Sequence, residues 1–261
     1  GVKIGVLTGS LLKILSLGNE LNGFSAQRFN QGVPQKITNK IGLKNYFSTQ
    51  TRKNSTRLSK INRYTEITSL SSKWKRLAAR QKGLEASAYL LLLDEGKYAA
   101  LSPNIPLSAA SAIKTPILLV ALELVDSGDL LWNEPLKLTE GIIGGGAGWM
   151  AYQPIGKSFP THEVATEMIR VSDNTATNLL IQRIGGIEAL NNRFKELGLN
   201  DTEMKNWLPD LGGTNTTSAR DLAQVLALVD TGKLLSPRAR DLFREVMSTS
   251  TTNRLLPGGL L

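Results

Sequence analysis

The sequence of 261 residues contains no cysteine and only one histidine, His162. Without cysteine the chain has no disulfide, no thiolate nucleophile and no cysteine-ligated metal, and its redox compartment cannot be read from cysteine usage. A single histidine excludes metal sites that are built from several histidines. A Ser-His-Asp triad could rest only on His162. The sequence therefore excludes catalytic centres that use cysteine or several histidines, and no metal or cofactor is expected.

Acidic residues are scarce in the first third of the chain. Residues 1–80 contain 15 Lys and Arg but only two acids, Glu20 and Glu66, whereas residues 81–261 contain 16 Lys and Arg and 20 acids. The net charge of +9 is thus a property of the N-terminal third. A basic segment is compatible with nucleic-acid binding, but this one has no interleaved aromatic residues and no recognised nucleic-acid motif. We expect a solvated basic linker and no nucleic-acid partner.

Long uninterrupted apolar runs are also lacking at the N-terminus. Residues 1–17 are apolar but interrupted by two lysines, and they are too few for a complete membrane span, which needs about 20 residues. Their pattern fits either the stub of a signal-anchor or an amphipathic start. Residues 18–65 are rich in polar and basic residues without a sustained period. The predicted organisation is a basic, largely disordered linker at 1–65, which starts with either an anchor stub or an amphipathic segment, and one folded domain at 66–261 that is incomplete at its C-terminus.

Periodic patterning begins near Ser69. Serine caps, spaced apolar residues and a stop at Gly83 predict a first helix, and "ASAYLLLLD" predicts a buried strand that turns into a second strand at 97–101. A long apolar helix is predicted at 111–125. Further helices, punctuated by glycines, are predicted at 161–170, 174–184, 187–197, 218–231 and 237–248. A hairpin followed by many helices, without βαβ alternation, predicts the α+β class.

Ser111 and Lys114 form the first chemically suggestive pair. They are three residues apart at the start of the apolar helix, so their side chains share one face. A serine hydroxyl needs a base to become a nucleophile, and a lysine desolvated by apolar neighbours has a lowered pKa and can serve as that base. The pair alone leaves open a lysine at a helix edge that extends its charge to solvent. The same S-x-x-K spacing occurs at Ser10-Lys13 and Ser72-Lys75, so the motif needs support from elsewhere.

Ser172-Asp173-Asn174 supplies that support about sixty residues further on, between two predicted helices. A second serine can relay a proton to a leaving nitrogen, and an asparagine amide can hold a substrate amide and contact the lysine. All three residues also favour the N-cap of a helix, and for Asp173 we expect that structural role. The combination of S-x-x-K with S-D-N is known from class A β-lactamases and penicillin-binding proteins.

Residues 84–261 resemble this class A β-lactamase-like, penicillin-recognising family of serine hydrolases. "MIRVSDNTATNLLIQRIGG" is a close match to the family's S-D-N stretch, and Tyr152-Gln153-Pro154 resembles the aromatic that borders its pocket. The resemblance implies a β-lactamase/transpeptidase-like fold, in which an antiparallel sheet is flanked by a helical subdomain. By the same resemblance, Ser111 is the acylated nucleophile, Lys114 its base and Ser172 the proton relay. Asn174 and Tyr152 are implied to contact the substrate.

The family's K-T-G motif is missing, as are its variants K-S-G and H-T-G. In the family this motif lies on a strand beyond the region that corresponds to residues 247–261. The resemblance therefore implies a chain that stops before the C-terminal strands, with an incomplete site and an unfilled sheet edge.

The loop that deacylates the family's acyl-enzyme is altered. Where the family has Trp-Glu-Pro, this chain has Trp207-Leu208-Pro209, and leucine cannot activate water. Gly212 matches the asparagine that helps to hold this water in the family. Asp210 is a nearby acid, but its register is expected to point it elsewhere. These changes favour a penicillin-binding or peptidase-like hydrolase over an efficient β-lactamase.

Two functional hypotheses follow. The first is a monomeric cell-envelope or periplasmic serine hydrolase, with or without a membrane anchor. It forms an acyl-enzyme with β-lactams or related acyl-amides and releases it slowly, because the loop residue is Leu208. The alternative is a non-catalytic penicillin-binding-like module that binds peptidoglycan or a partner protein. A K-T-G motif encoded beyond Leu261 in the complete gene would favour the enzyme.

Overall fold

The computed structural model describes residues 64–251, apart from 82 and 84, and the backbone of residues 3–7. Most of the predicted linker and anchor stub, and the end of the chain from 252, lie outside the described residues. The domain boundary near residue 65 therefore stays a prediction. In the part of the chain so described, no helix is both long enough and apolar enough to cross a membrane.

A four-stranded sheet forms one side of the domain. Its strands are β1 (Lys3–Leu7), β2 (Thr65–Glu66), β3 (Ser87–Leu92) and β4 (Lys97–Leu101), in the order β1-β3-β4-β2. β3 and β4 form the predicted antiparallel hairpin, and Gly96, with a φ of +61°, supplies the left-handed residue of the turn between them.

The hairpin has a strand on each side, which differs from the expected unfilled edge. β1 pairs antiparallel along the outer side of β3, and β2 pairs parallel with β4. The free N–H and C=O groups of an outer strand can pair with another extended segment of matching length. The edge of β3 is therefore filled by β1, whose residues belong to the segment expected to be either an anchor stub or an amphipathic start, and the expectation of an unfilled edge is corrected there.

Seven helices make up most of the remaining described structure, and five of them match the predicted helices to within one residue at each end. They are α1 (Thr68–Ala79), α2 (Lys114–Ser127), α3 (Thr161–Arg170), α4 (Asn174–Ile184), α5 (Gly186–Glu196), α6 (Ala219–Asp230) and α7 (Pro237–Ser248). Two short antiparallel ladders tie the connections together. They pair β5 (Leu107–Ser108) with β8 (Thr216–Thr217), and β6 (Pro135–Lys137) with β7 (Ser158–Pro160).

Helix α2 lies at the centre of the domain. Its residues from Pro116 to Leu124 are all buried, including Glu123, and it packs against α3, α4, α5, α6 and α7. A helix that is apolar on every side is stable only when neighbours cover all of it. Each fully buried leucine or isoleucine contributes roughly 1.5–3 kcal/mol to the stability of the fold. Helix α2 is therefore held firmly in place, and so are the residues at its N-terminus.

A buried ion pair fixes α2 to α5. The guanidinium of Arg193 in α5 donates to both carboxylate oxygens of Glu123 in α2, and it also contacts Glu196 at 2.8 Å. The side chains of Arg193 and Glu123 are only 1% and 2% exposed. Removal of Arg193 would leave the buried carboxylate of Glu123 without this partner, so the pair holds the two helices in one relative position.

The start of α2 differs from the prediction. A helix was expected from residue 111, but residues Ala110–Ile113 form a 3₁₀ turn and the α-helix begins at Lys114. Pro116 explains the change, because it has no N–H to donate to the carbonyl four residues earlier. In a 3₁₀ turn, side chains three residues apart lie directly above one another. The turn therefore keeps Ser111 and Lys114 on one face.

Candidate active site

A hydrogen-bonded chain connects three side chains that the sequence singles out. The Oγ of Ser111 lies 2.7 Å from the Oγ of Ser172, which in turn lies 2.8 Å from the Nζ of Lys114. Among the side-chain hydrogen bonds of the described residues, none joins the Oγ of Ser111 directly to the Nζ of Lys114. His162 lies instead beside Trp132, with ring centroids 6.4 Å apart. The arrangement is therefore Ser-Ser-Lys and not a histidine triad.

Lys114 is only 2% exposed. Its Nζ donates to the backbone oxygen of Ser172 at 2.5 Å, to the Oγ of Ser172 at 2.8 Å and to the Oδ1 of Asn174 at 3.0 Å. Burial lowers the pKa of Lys114 from its ordinary value to about 8, although the negative charge of Asp173 opposes this shift. The alternative of a lysine that extends its charge to solvent is wrong.

The turn between α3 and α4 places Ser172 and is held by Asp173. Ser172 has a φ of +60°, a left-handed conformation that costs an L-residue about 1–2 kcal/mol. Asp173 caps α4, since its carboxylate accepts the N–H of Ala176 at 2.9 Å, and this confirms its predicted role. The other carboxylate oxygen accepts the N–H groups of Trp149 and Met150 at 2.7 and 2.8 Å. Asp173 thus joins the S-D-N turn to the glycine-rich loop.

The glycine-rich loop also orients Asn174. The Nδ2 of Asn174 donates to the carbonyl of Gly145 at 2.9 Å, while its Oδ1 accepts from Lys114. Gly148 has a φ of +90°, and a Cβ placed there would lie 2.1 Å from the Oδ2 of Asp173. Only glycine lets the loop approach the aspartate this closely.

Tyr152 lies at the end of the same loop, in the short 3₁₀ turn Met150–Tyr152. Its N–H donates to the carbonyl of Trp149 at 3.1 Å, and its side chain is 79% exposed. The phenol ring therefore belongs to the surface and not to the core, as is required of a residue that contacts a ligand.

Leu208, which the sequence resemblance matches to the family's loop glutamate, is only 7% exposed. It precedes a cis peptide bond to Pro209. Asn178 in α4 holds its backbone from both sides. The Oδ1 of Asn178 accepts the N–H of Leu208 at 3.1 Å, and its Nδ2 donates to the Leu208 carbonyl at 2.7 Å and to that of Ile142 at 3.1 Å. The loop position is well defined, but the side chain there is a hydrocarbon.

The carboxylate of Asp210 accepts hydrogen bonds from residues of its own loop. One carboxylate oxygen accepts the hydroxyl of Thr214 at 3.0 Å, and the other accepts the backbone N–H of Asn215 at 2.6 Å. Asn215 in turn accepts the N–H groups of Lys205 and Asn206 at 2.8 and 3.0 Å. The prediction that Asp210 points elsewhere is confirmed.

A sequence model of the β-lactamase enzyme family matches residues 69–261, which include every residue of the site. The chain belongs to the β-lactamase enzyme family. Among curated members, a β-lactamase of Bacillus licheniformis is 26% identical over 192 residues, which are 69% of this chain and 60% of that protein. The chain thus spans about three fifths of the length of this curated relative.

Solved structures give the same family placement. PBP-A is 41% identical, with a TM-score of 0.73, over 75% of this chain and 74% of that one. A leucine-to-glutamate mutant of PBP-A, solved as an acyl-enzyme complex with penicillin G, matches with a TM-score of 0.72, 41% identity and 74% of each chain. An ancestral class A β-lactamase shares the fold at 24% identity and a TM-score of 0.66, over 74% of this chain and 76% of that one. The predicted α+β, class A β-lactamase-like fold is confirmed.

The structure of this β-lactamase family member brings four of the predicted site residues together, namely Ser111, Lys114, Ser172 and Asn174. Tyr152 lies on the adjoining loop. Sequence reasoning missed Asn178, which lies one helical turn beyond Asn174 on the same face of α4. That spacing is the only signal that could have pointed to it. Across the residues that the structure describes, no group of three or more His, Asp or Glu side chains could hold a metal ion.

Proposed function

We propose that this protein is a serine hydrolase that forms an acyl-enzyme through Ser111 with β-lactams or related acyl-amides, and that it releases the acyl group slowly. The observation that carries the proposal is the hydrogen-bonded chain from buried Lys114 through Ser172 to Ser111. A base, a relay and a nucleophile in contact are what acyl transfer without histidine requires.

The partners of Lys114 define a path for the proton. The carbonyl of Ser172 and the Oδ1 of Asn174 have no hydrogen to give, so each must accept an N–H from the lysine. When the lysine is neutral, its lone pair is left facing the hydroxyl of Ser172, the one partner that can also donate. Ser172 can then pass its proton to Lys114 and take the proton of Ser111. Lys114 thus acts on Ser111 through Ser172.

The charge state of Lys114 suits this role. With a pKa of about 8, about one molecule in ten carries a neutral lysine at pH 7. A solvated lysine would be neutral in fewer than about one molecule in a thousand. Burial in the apolar start of α2 therefore raises the fraction of neutral lysine at pH 7 by about 300-fold. The positive end of the α2 dipole close to Ser111 favours the negative charge that develops on the attacked carbonyl.

Deacylation lacks a comparable base. The loop position that would need a carboxylate holds the hydrocarbon side chain of Leu208, and both oxygens of Asp210 are bound within the loop. General-base assistance is worth roughly 10²–10⁴ in rate, or about 3–5 kcal/mol of barrier. The acyl-enzyme is therefore expected to persist for minutes or longer.

The substrate class is supported by the relatives. PBP-A, 41% identical to this chain, has been captured as a penicillin G acyl-enzyme in its leucine-to-glutamate form. We propose a β-lactam or peptidoglycan-like acyl-amide as the ligand here, and the cell envelope as the compartment where such ligands occur.

Covalent labelling tests the proposal. Protein expressed from the complete gene is incubated with a fluorescent penicillin, and the adduct is located by mass spectrometry. We expect one adduct, on Ser111, which is lost in Ser111→Ala. Ser72→Ala, in the exposed S-x-x-K motif of α1, is the matched control and should label normally. If the wild-type protein formed no adduct, the hydrolase proposal would be rejected and the non-catalytic binding module would be the remaining hypothesis.

A further inference from the structure

Glu167 lies in the last turn of α3, just before the turn that carries Ser172, and it is only 7% exposed. Its Oε2 accepts the indole N–H of Trp149 at 2.6 Å. The guanidinium of Arg170 donates to its two carboxylate oxygens, at 2.7 Å each. Its backbone carbonyl accepts the N–H of Asp173 at 3.1 Å. Side chain and backbone of Glu167 therefore both contact groups that surround the site.

Trp149 is held between Asp173 and Glu167. Its backbone N–H donates to the Asp173 carboxylate at 2.7 Å, and its indole N–H donates to Glu167. The indole ring also makes an edge contact with Phe159, at 5.8 Å between centroids. The carbonyl of Trp149 accepts the N–H of Tyr152, so a shift of Trp149 would move Tyr152 with it.

The negative charge of Glu167 strengthens its hydrogen bonds with Trp149 and Arg170. The hydrogen bonds from Arg170, and to a lesser degree that from Trp149, lower the pKa of the Glu167 carboxyl against the opposing effect of burial. Three N–H groups thus converge on an ionised carboxylate, and charge-assisted hydrogen bonds of this kind are short and strong. Arg170 is 41% exposed on its outer side and can turn to water if the carboxylate is removed.

We propose that Glu167 is a positioning residue for substrate binding, which acts through Trp149 to fix the loop that carries Tyr152 and the Gly145 carbonyl bound by Asn174. This inference rests on the proposed acyl-transfer function. Glu167 does not contact Ser111, Lys114 or the hydroxyl of Ser172, so the chemical step itself should be little affected. The effect should appear in the concentration of ligand needed for half-maximal acylation.

The test measures acylation by a fluorescent penicillin over a range of concentrations, in protein expressed from the complete gene. In Glu167→Ala the half-saturating concentration should rise about tenfold, the order expected for loss of one hydrogen bond to a charged group. The limiting rate should stay within about twofold. Trp149→Phe removes the same N–H but keeps the ring, so it should show the same rise. The double variant should be no worse than either single variant, because the two changes break one contact.

Two further variants separate positioning from general stability. Glu167→Gln keeps an oxygen that can accept the indole N–H of Trp149, and it should restore the half-saturating concentration to near the wild-type value. Glu134→Ala is the matched control, because Glu134 forms the same bidentate pair with Arg183 in another part of the domain. It should lower the melting temperature by a similar amount and leave acylation unchanged.

The indole N–H resonance of Trp149, assigned by its loss in Trp149→Phe, reports the contact itself. It should shift in Glu167→Ala and return towards its wild-type position in Glu167→Gln. If wild-type protein forms no adduct, the proposed function fails and this inference fails with it. If wild-type protein labels normally and Glu167→Ala has an unchanged half-saturating concentration, the inference alone is overturned.

Discussion

The hydroxyl of Ser111 is hydrogen-bonded to the hydroxyl of Ser172, 61 residues further along the chain, at an Oγ–Oγ distance of 2.7 Å. Lys114 contacts Ser172, so in the mechanism proposed above the proton of Ser111 reaches the lysine through the second serine. The three groups should therefore be required as a unit.

The first prediction is that Lys114→Ala and Ser172→Ala each reduce the rate of penicillin labelling by about 10²–10⁴, because either change interrupts proton transfer. Lys75→Ala, in the exposed S-x-x-K motif of α1, should label at the wild-type rate. The labelling rate is followed by gel fluorescence. Unchanged labelling of Lys114→Ala would remove the Ser-Lys mechanism, and unchanged labelling of Ser172→Ala would show that Lys114 reaches Ser111 directly.

The second prediction concerns pH. The proposed base is neutral Lys114. Because its pKa is lowered to about 8, the acylation rate should rise about tenfold per pH unit below 8 and level off above it. The free energy of unfolding should increase between about pH 8 and 10.5, where the unfolded chain still carries the proton that the folded protein has lost. Stopped-flow labelling from pH 6 to 9.5 checks the kinetic part. A rate independent of pH across this range would exclude Lys114 as the base.

The third prediction concerns Leu208. Leu208→Glu should shorten the lifetime of the acyl-enzyme, because a carboxylate can take a proton from water. Full recovery is not expected, since Gly212 has no side chain to hold that water. The variant should also melt at a lower temperature, because the site is buried and a charge there is poorly solvated.

Leu208→Gln is the matched control for this experiment, with the same length as glutamate and no basic oxygen. Adduct lifetime is read by mass spectrometry alongside turnover of a chromogenic cephalosporin. Fast turnover by the wild-type protein, with no detectable adduct, would show that another group is the base for deacylation.

The fourth prediction concerns Asn178. Asn178→Ala leaves the buried N–H and carbonyl of Leu208 without their partners, at a cost of about 1–3 kcal/mol for each group. The melting temperature should fall, and the loop should become more susceptible to protease. Asn191→Ala removes a similar pair of bonds, to the N–H and carbonyl of Met204.

Asn191→Ala should destabilise the protein to a similar extent. Only Asn178→Ala should change the adduct lifetime in a Leu208→Glu background, because only Asn178 holds the backbone of residue 208. The contradicting result would be equal adduct lifetimes when Asn178→Ala and Asn191→Ala are each combined with Leu208→Glu. The hydrogen bonds from Asn178 would then have no part in placing the carboxylate introduced at position 208.

Local patterns predict most of the helices and the S-D-N turn, for reasons that are visible in the structure. The predicted cap at Asp173 depends on one hydrogen bond to a residue three positions away, and such contacts follow from short-range sequence. The hairpin depends on a turn residue, Gly96, and on two apolar strands next to it. The start of α2 was missed because Pro116 changes the hydrogen bonding of the turn before it.

Contacts between residues far apart in the chain could not be predicted from the sequence. Nothing in the sequence pairs Glu167 with Trp149, or Asn178 with the backbone of Leu208, because each pair is brought together by tertiary packing. The burial of Lys114 was expected from its apolar neighbours, but not the placement of Ser172 between Lys114 and Ser111. That placement depends on the left-handed backbone of Ser172, for which the sequence carries no specific signal.

This left-handed serine has a consequence for how the protein can change over many generations. Glycine would adopt the same backbone without strain, so Ser172→Gly is the substitution that selection for heat resistance alone should favour. The same substitution deletes the hydroxyl that links Ser111 to Lys114. If Ser172 has the relay role proposed above, a population that retains serine here is under selection for acyl transfer, and one that drifts to glycine keeps the fold and loses that reaction.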